Sequence, residues 1–276
     1  MGRALSSLLV ASTLGVSGVG ACVGDDPELA SAIDAGAPPD ATADTGGEAD
    51  AGSVTTFCSA VDAAFCADFD RDPDAGASFA RLVARGGATL ERTVADYASP
   101  PGSLWIRLPA ADGGYATSGF ASTILDVSAS QHRTVEVEVA LRADEPSTGK
   151  VQFLTIALNG SGNGGMSLSR LDGVWGVQMS LKGTQGTFYP LAVDGGLGAI
   201  PLTFRRLRLE GHFANGGTGY GKLFVDDVSV FESPLQQTTT ETTTNTIEIQ
   251  LMAASATGPT PPVQAKYDNV VIRTRP

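Results

Sequence analysis

Short stretches of alternating apolar and polar residues, separated by turn-forming clusters, run through residues 57–276. Residues 134–139 (TVEVEV) and 175–181 (WGVQMSL) alternate, whereas residues 151–158 are almost continuously apolar, as a buried central strand would be. No window of about 11 residues carries an amphipathic helical stripe. The glycine-rich clusters that separate the stretches lie at 159–165, 194–198 and 215–219. This organisation predicts about a dozen short antiparallel strands in an all-β sandwich or barrel.

One segment near the carboxyl terminus predicts a tight hairpin. The runs Leu223–Val225 and Val228–Phe231 flank Asp226-Asp227, a dipeptide that suits a two-residue turn. The whole stretch FRRLRLEGHFANGGTGYGKLFVDDVSVF resembles the hairpin of laminin-G and concanavalin A-like lectin/glucanase domains. Lys266–Ile272 (KYDNVVI) resembles their final strand. The resemblance implies an all-β, two-sheet antiparallel jelly-roll sandwich, a fold that hosts lectins, glycosidases, lyases and adhesion modules.

The first residues have the organisation of an export signal. Arg3 supplies the positive charge, Ala4–Gly20 is apolar or small, and Val19-Gly20-Ala21-Cys22 follows. This last run resembles a bacterial lipobox, which implies cleavage before Cys22 and acylation of its sulfur. We therefore expect a signal peptide at 1–21 and a lipoprotein anchored in the outer membrane or at the cell surface. The alternatives are a plain secretory signal or a short transmembrane helix.

Residues 22–56 differ in composition from the rest of the chain. After Cys22 they contain eight acidic residues and no lysine, arginine or aromatic residue. Such a segment cannot bury enough apolar surface to offset its chain entropy, so we expect a disordered acidic tether before the domain at 57–276. The threonine run at 238–246 reads as an edge strand or a long loop.

Three cysteines are present, and lipidation of Cys22 would leave Cys58 and Cys66 as a pair. An exported protein enters an oxidising compartment, so we expect a Cys58–Cys66 disulfide. The alternative is a metal site, but two thiols without a nearby histidine are too few ligands for zinc.

The net charge of −12 excludes nucleic acid as a partner, because phosphate contacts need lysine and arginine. The sequence contains no Gly-x-Ser-x-Gly motif, which argues against a serine hydrolase of that kind. Catalysis by jelly-roll polysaccharide lyases would need a base, a neutralising arginine and a Gln-x-His element, and no Gln-x-His occurs.

Glu136 and Glu138 lie two residues apart on one predicted strand, so their carboxylates share a face. Glycosidases hydrolyse a glycosidic bond with two carboxyl groups that flank it. Glu136 and Glu138 resemble the first two acids on the catalytic strand of concanavalin A-like glycosidases. The second catalytic glutamate of that strand is missing, since Ala140, Leu141 and Arg142 follow. The competing interpretation is a solvated strand face.

Three aromatic residues are candidates for sugar contacts: Trp105, Trp175 and Tyr189. An outward tryptophan offers a large apolar platform, whereas an inward one belongs to the core. No cofactor is expected, although Asp226, Asp227, Asp268 and Asn269 are oxygen-bearing candidates for calcium. Turn chemistry is the competing interpretation of these four residues.

The sequence leaves three hypotheses open. The first is a non-catalytic surface lipoprotein that binds glycan or another envelope component. The second is a divergent glycoside hydrolase or polysaccharide lyase on the same fold. The third is a structural envelope protein without a ligand. Acids facing a cleft would distinguish the second, and an aromatic platform would separate the first from the third.

Overall fold

A computed structural model describes residues 57–70, 78–110, 116–126, 132–144, 149–159, 164–180, 186–191, 197, 203–214, 219–233, 246–255 and 262–275. The predicted signal peptide, Cys22, the acidic tether and nearly all of the threonine run lie outside the described residues. No helix within the described ranges is long and apolar enough to cross a membrane.

The described residues form fifteen strands after one short 3₁₀ helix, Phe57–Ala60. In chain order the strands are β1 (Phe65–Ala67), β2 (Arg81–Arg85), β3 (Thr89–Thr93), β4 (Ser103–Leu108), β5 (Thr117–Asp126), β6 (His132–Ala143), β7 (Lys150–Asn159), β8 (Gly164–Leu171), β9 (Val174–Ser180), β10 (Thr187–Pro190), β11 (Arg205–Ala214), β12 (Tyr220–Val225), β13 (Val228–Glu232), β14 (Thr246–Ser255) and β15 (Val263–Arg275).

The strands pair antiparallel in two sheets. One sheet has eight strands in the order β13-β12-β11-β6-β15-β4-β3, with β1 paired to β15 beyond the end of β4. The other has seven strands in the order β10-β9-β8-β7-β14-β5-β2. The two-sheet antiparallel jelly-roll sandwich expected from the resemblance is therefore confirmed.

Alternating apolar residues from both sheets form the core. On β6 the inward residues Val135, Val137 and Val139 are fully buried, and on β7 so are Val151 and Ile156. Burying an aliphatic side chain of this size contributes about 1.5 to 3 kcal/mol. The prediction that residues 151–158 form a central buried strand is confirmed, because β7 is the middle strand of the seven-stranded sheet.

Two local predictions are also confirmed. β12 and β13 pair as a hairpin, and both turn residues, Asp226 and Asp227, have positive φ angles of 46° and 68°. A two-residue turn with φ positive at both positions matches the twist of the flanking strands. Cys58 and Cys66 form a disulfide with Cα atoms 5.7 Å apart, which joins the 3₁₀ helix to β1.

Candidate functional site

The two sheets present different outer faces. Outward positions of β6, β11 and β15 in the eight-stranded sheet carry mainly arginine and glutamate, including Glu136, Arg208 and Arg273. Outward positions of β7, β8 and β9 in the seven-stranded sheet carry mainly glutamine, serine and threonine. Each face therefore suits a different class of ligand.

Glu136 and Glu138 share the outer face of the eight-stranded sheet, as their spacing predicts. Arg273 donates from Nη1 to Oε1 of Glu136 at 2.8 Å and to Oε2 of Glu138 at 3.1 Å. Arg275 donates to Oε2 of Glu136 at 3.1 Å, and Glu136 is only 4% exposed. Burial would by itself lower the pKa of Arg273, but hydrogen bonds and charge interactions with both glutamates raise it.

This pairing decides the chemistry available to the two glutamates. Glycosidases keep one carboxyl group protonated to donate to the leaving oxygen while the other acts as nucleophile or base. In this protein both glutamates are instead bound by guanidinium groups, Glu136 by Arg273 and Arg275 and Glu138 by Arg273. The pair therefore forms part of a charge network on the outer face of the eight-stranded sheet.

Of the aromatic candidates, the structure places Trp175 in the core. Trp175 is 4% exposed, and its ring centroid lies 5.1 Å from that of Phe153. Tyr189 is half-buried, packs against the core and contacts Phe231 at 5.7 Å between centroids. The neighbours of both residues along their strands face outward, so the side chains of Trp175 and Tyr189 face the core. Neither residue therefore offers an exposed platform.

Trp105 is the candidate aromatic residue on an outer face. It is half-buried on β4 of the eight-stranded sheet, where Arg107 lies 4.3 Å and Lys266 5.1 Å from its ring centroid. Arg107 also bonds Glu91 at 2.7 Å. The aromatic face is therefore already occupied by cations of the same sheet.

The four calcium candidates have other partners. Asp226 and Asp227 pair with Arg205 and Arg206 at the hairpin turn. Asp268 is fully buried and accepts backbone hydrogen bonds, described below, and Asn269 accepts one from the Ser99 hydroxyl at 2.8 Å. No group of three metal-ligating side chains occurs within the part of the chain that the structure describes.

The centre of the seven-stranded sheet carries a row of outward polar residues that we name the polar strip. Thr155 on β7 pairs in register with Ser167 on β8, which pairs with Gln178 on β9. One row along, Gln152 pairs with Ser169. The polar strip comprises Lys150, Gln152, Thr155, Ser167, Ser169 and Gln178.

Hydrogen bonds connect the members of the strip. Gln152 donates from Nε2 to Oγ of Ser167 at 3.2 Å, and the hydroxyls of Ser167 and Ser169 lie 3.3 Å apart. Both serines are almost fully buried beneath longer neighbours, although they face away from the core. The serines form the floor of the strip, and the amides of Gln152 and Gln178 form its upper surface.

Lys150 and Phe188 border the strip. The ammonium group of Lys150 donates to Oε1 of Gln178, and burial lowers the pKa of Lys150. The ring of Phe188 lies on Gly176, where a Cβ atom would come within 2.4 Å of its Cζ atom. Only glycine allows this close approach, which places an aromatic ring beside the polar strip.

Sequence reasoning missed the polar strip, although its signal was present. In GGMSLSR the apolar Met166 and Leu168 alternate with Ser167 and Ser169, which assigns both serines to one face. The same alternation groups Trp175 with Val177 and Met179, all of which are core residues.

No protein-family model matches this chain, and no curated protein matches it. Among solved structures it is similar to an endo-β-1,4-glucuronan lyase from the fungus Trichoderma reesei. The identity is 15%, the match covers 77% of this chain and 95% of that one, and the TM-score is 0.57. Two further matches have a TM-score of 0.47. One is alginate lyase Aly36B, at 12% identity, and the match covers 76% of this chain and 96% of that one. The other is the binding domain of botulinum neurotoxin DC, at 8% identity, and the match covers 76% of this chain and 48% of that one.

The described domain is thus a two-sheet antiparallel jelly-roll sandwich, with a network of arginines and glutamates on the outer face of the eight-stranded sheet and the polar strip on that of the seven-stranded sheet. Its fold is shared with a polysaccharide lyase over most of both chains.

Proposed function

We propose that this domain binds a polysaccharide through the polar strip without cleaving it, and that Cys22 anchors it as an exported lipoprotein. The observation that carries the proposal is the polar strip itself. Amide and hydroxyl groups both donate and accept hydrogen bonds, as sugar hydroxyls do. Gln152 and Thr155 on β7 and Gln178 on β9 present such groups on either side of the buried serines of β8.

Two features support this choice of face. Phe188 adds an apolar ring next to the strip, against which the CH groups of a sugar can pack. The fold is shared with an endo-β-1,4-glucuronan lyase, a protein named for a polysaccharide. Lys150 would supply one positive charge to a uronate carboxylate, so acidic polysaccharides belong in the test beside neutral ones.

The test measures binding of the purified full chain to glucuronan, alginate, β-glucans and galactans by calorimetry. We expect binding to at least one of them, and at least tenfold weaker binding by the Gln152→Ala/Gln178→Ala variant, which corresponds to a loss of about 1.4 kcal/mol or more. Gln264→Ala is the matched control, because Gln264 lies on β15 in the other sheet. The proposal fails if no polysaccharide binds, or if the control weakens binding as much as the double variant does.

Lys150 supports a second candidate function, β-elimination of a uronate polymer. Lys150 borders the polar strip through its hydrogen bond to Gln178, within reach of a polymer bound there, and burial lowers its pKa, as in lysines that act as general bases. Ultraviolet absorbance of the same mixtures would reveal an unsaturated uronate product. If the parent chain forms this product and Lys150→Ala does not, the domain is a lyase and the proposal of binding without cleavage is wrong.

A further inference from the structure

A cavity of about 390 Å³ opens on the outer face of the eight-stranded sheet, the face opposite the polar strip. It lies where the start of the domain, the segment between β3 and β4 and the β12–β13 turn come together. Phe57, Phe204 and Ala140 supply apolar walls, and Glu138, Arg206 and Asn269 supply polar groups. Small-ligand sites are typically concave, about 300 to 1,000 Å³ in volume, and mostly apolar with a few placed polar groups.

The charges at the cavity cancel in pairs. Arg205 pairs with Asp226 and Arg206 with Asp227 across the base of the hairpin. Glu138 accepts from Arg273 at 3.1 Å. An ionic ligand would leave an unbalanced charge in this surrounding, so the cavity favours a neutral ligand.

The polar groups of the cavity retain unused hydrogen-bonding capacity. Nη1 of Arg206 lies 3.9 Å from Oε1 of Glu138, which is too far for a direct hydrogen bond. At that separation one hydroxyl group can accept from the guanidinium and donate to the carboxylate at the same time. Asn269 uses its Oδ1 atom to accept from Ser99, which leaves its NH₂ group as a donor.

We propose that this cavity is a second carbohydrate site, which takes a single neutral sugar unit. The CH face of the ring packs against Phe57 and Phe204, and one hydroxyl bridges Glu138 and Arg206. The site is separate from the polar strip, since the two lie on different sheets. A domain with both sites would bind two glycan chains at once, or two parts of one chain, and would gain avidity from the linkage.

The experiment titrates the purified full chain with the methyl glycosides of glucose, galactose, mannose and N-acetylglucosamine. Saturation-transfer NMR detects which sugar binds, and shifts of the Ala140 and Asn269 amide resonances locate it. Ala140→Leu enlarges one of the apolar side chains that line the cavity and so reduces its volume, and we expect it to weaken binding at least tenfold. Glu138→Gln keeps the size of the side chain but removes the carboxylate, and should weaken binding severalfold.

Two controls separate this site from the rest of the surface. Glu91→Gln removes a carboxylate that pairs with an arginine on the same face but outside the cavity, and should leave sugar binding unchanged. Arg81→Gln alters an exposed residue on β2, at the far edge of the other sheet, and should also leave sugar binding unchanged. The proposal is overturned if no glycoside shifts the cavity resonances, or if Ala140→Leu and Glu138→Gln both bind as the parent chain does.

Discussion

Tyr267 joins the two sheets of the sandwich through its hydroxyl group. The residue lies on β15 and is fully buried, and burial raises its pKa well above the ordinary value. Its Oη atom lies 2.6 Å from the carbonyl oxygen of Phe153 on β7 and 2.5 Å from that of Met252 on β14. The register between β7 and β14 shifts between Leu251 and Ala254, so the hydroxyl group donates to carbonyl groups at a place where the pairing of the two strands is irregular.

We expect Tyr267→Phe to lower the free energy of unfolding by about 1 to 3 kcal/mol, because two buried carbonyl groups lose their shared donor. Urea denaturation measures this change. Tyr220→Phe is the matched control: it removes the hydrogen bond from that hydroxyl to Glu210 at 2.8 Å, near solvent, and should cost much less. Equal costs for both variants would contradict the assigned role of Tyr267.

At the level of single residues, the sequence predicted which face of a strand a side chain occupies, but not which distant residues it contacts. Alternation correctly put Glu136 and Glu138 on one face, because the side-chain period of a strand is two. It could not reveal that Arg273, more than 130 positions away, binds both carboxylates. That contact depends on the pairing of β6 with β15, a long-range event that local periodicity does not encode.

Among the elements, β15 also holds the segment between β3 and β4. Asp268 accepts from the backbone N–H groups of Ala98 at 2.8 Å and Ser99 at 2.7 Å, and from that of Asn269 at 2.8 Å. Burial raises the pKa of Asp268 to about 6, although these hydrogen bonds act in the opposite direction. A buried carboxylate thus anchors one wall of the cavity, to which Ala98 and Asn269 both belong.

The raised pKa of Asp268 predicts a dependence of stability on pH. The folded protein takes up this proton at about pH 6, but the unfolded chain does so only near pH 4. Between these values the folded state binds more protons, so this group lowers the free energy of unfolding as the pH rises, by up to about 3 kcal/mol. Urea denaturation of the parent chain and of Asp268→Asn measures both free energies of unfolding. The value for the parent chain minus that for the variant should fall as the pH rises from 4 to 7.

Asp96 provides a control of opposite sign. Burial would raise its pKa, but Lys266 at 2.7 Å and Arg142 at 2.5 Å lower it overall. Its contribution to stability is present above the unfolded pKa and is lost as the pH falls through the folded value. The stability difference between the parent chain and Asp96→Asn should therefore rise with pH, mostly below about pH 4. A pH-independent difference for Asp268→Asn would show that Asp268 is already ionised throughout the range.

The elements themselves were largely predictable, because each strand carries its own periodicity and each turn its own chemistry. Asp226-Asp227 identified the hairpin, since aspartate tolerates the positive φ angles that the turn requires. The order of strands in the two sheets was accessible only through the resemblance. For that reason the sequence could not show that β6 and β8 belong to different sheets and that their outward residues face opposite sides.

For the molecule as a whole, the chain enters the domain on the charged face. Phe57, the first described residue, lines the cavity of the eight-stranded sheet, and the disulfide at Cys58 fixes this entry to β1. Closing so short a loop stabilises the fold by about 2 to 3 kcal/mol in the chain-entropy model. The polar strip lies on the other sheet, away from Phe57 and the disulfide.

We propose that Cys22 attaches the domain to a membrane. The run Val19-Gly20-Ala21-Cys22 after an apolar stretch predicts acylation of Cys22, and each buried CH₂ of an acyl chain adds about 0.8 kcal/mol of membrane affinity. We expect Cys22→Ser to move the protein from the membrane fraction to the soluble exported fraction, as followed by fractionation and immunoblotting. The double variant Cys58→Ser/Cys66→Ser is the matched control, because it also removes thiols but leaves the lipobox-like run intact. It should stay with the membrane while losing the disulfide. If Cys22→Ser remains fully in the membrane fraction, or if mass spectrometry of the mature protein finds an unmodified Cys22, the proposed anchor is wrong.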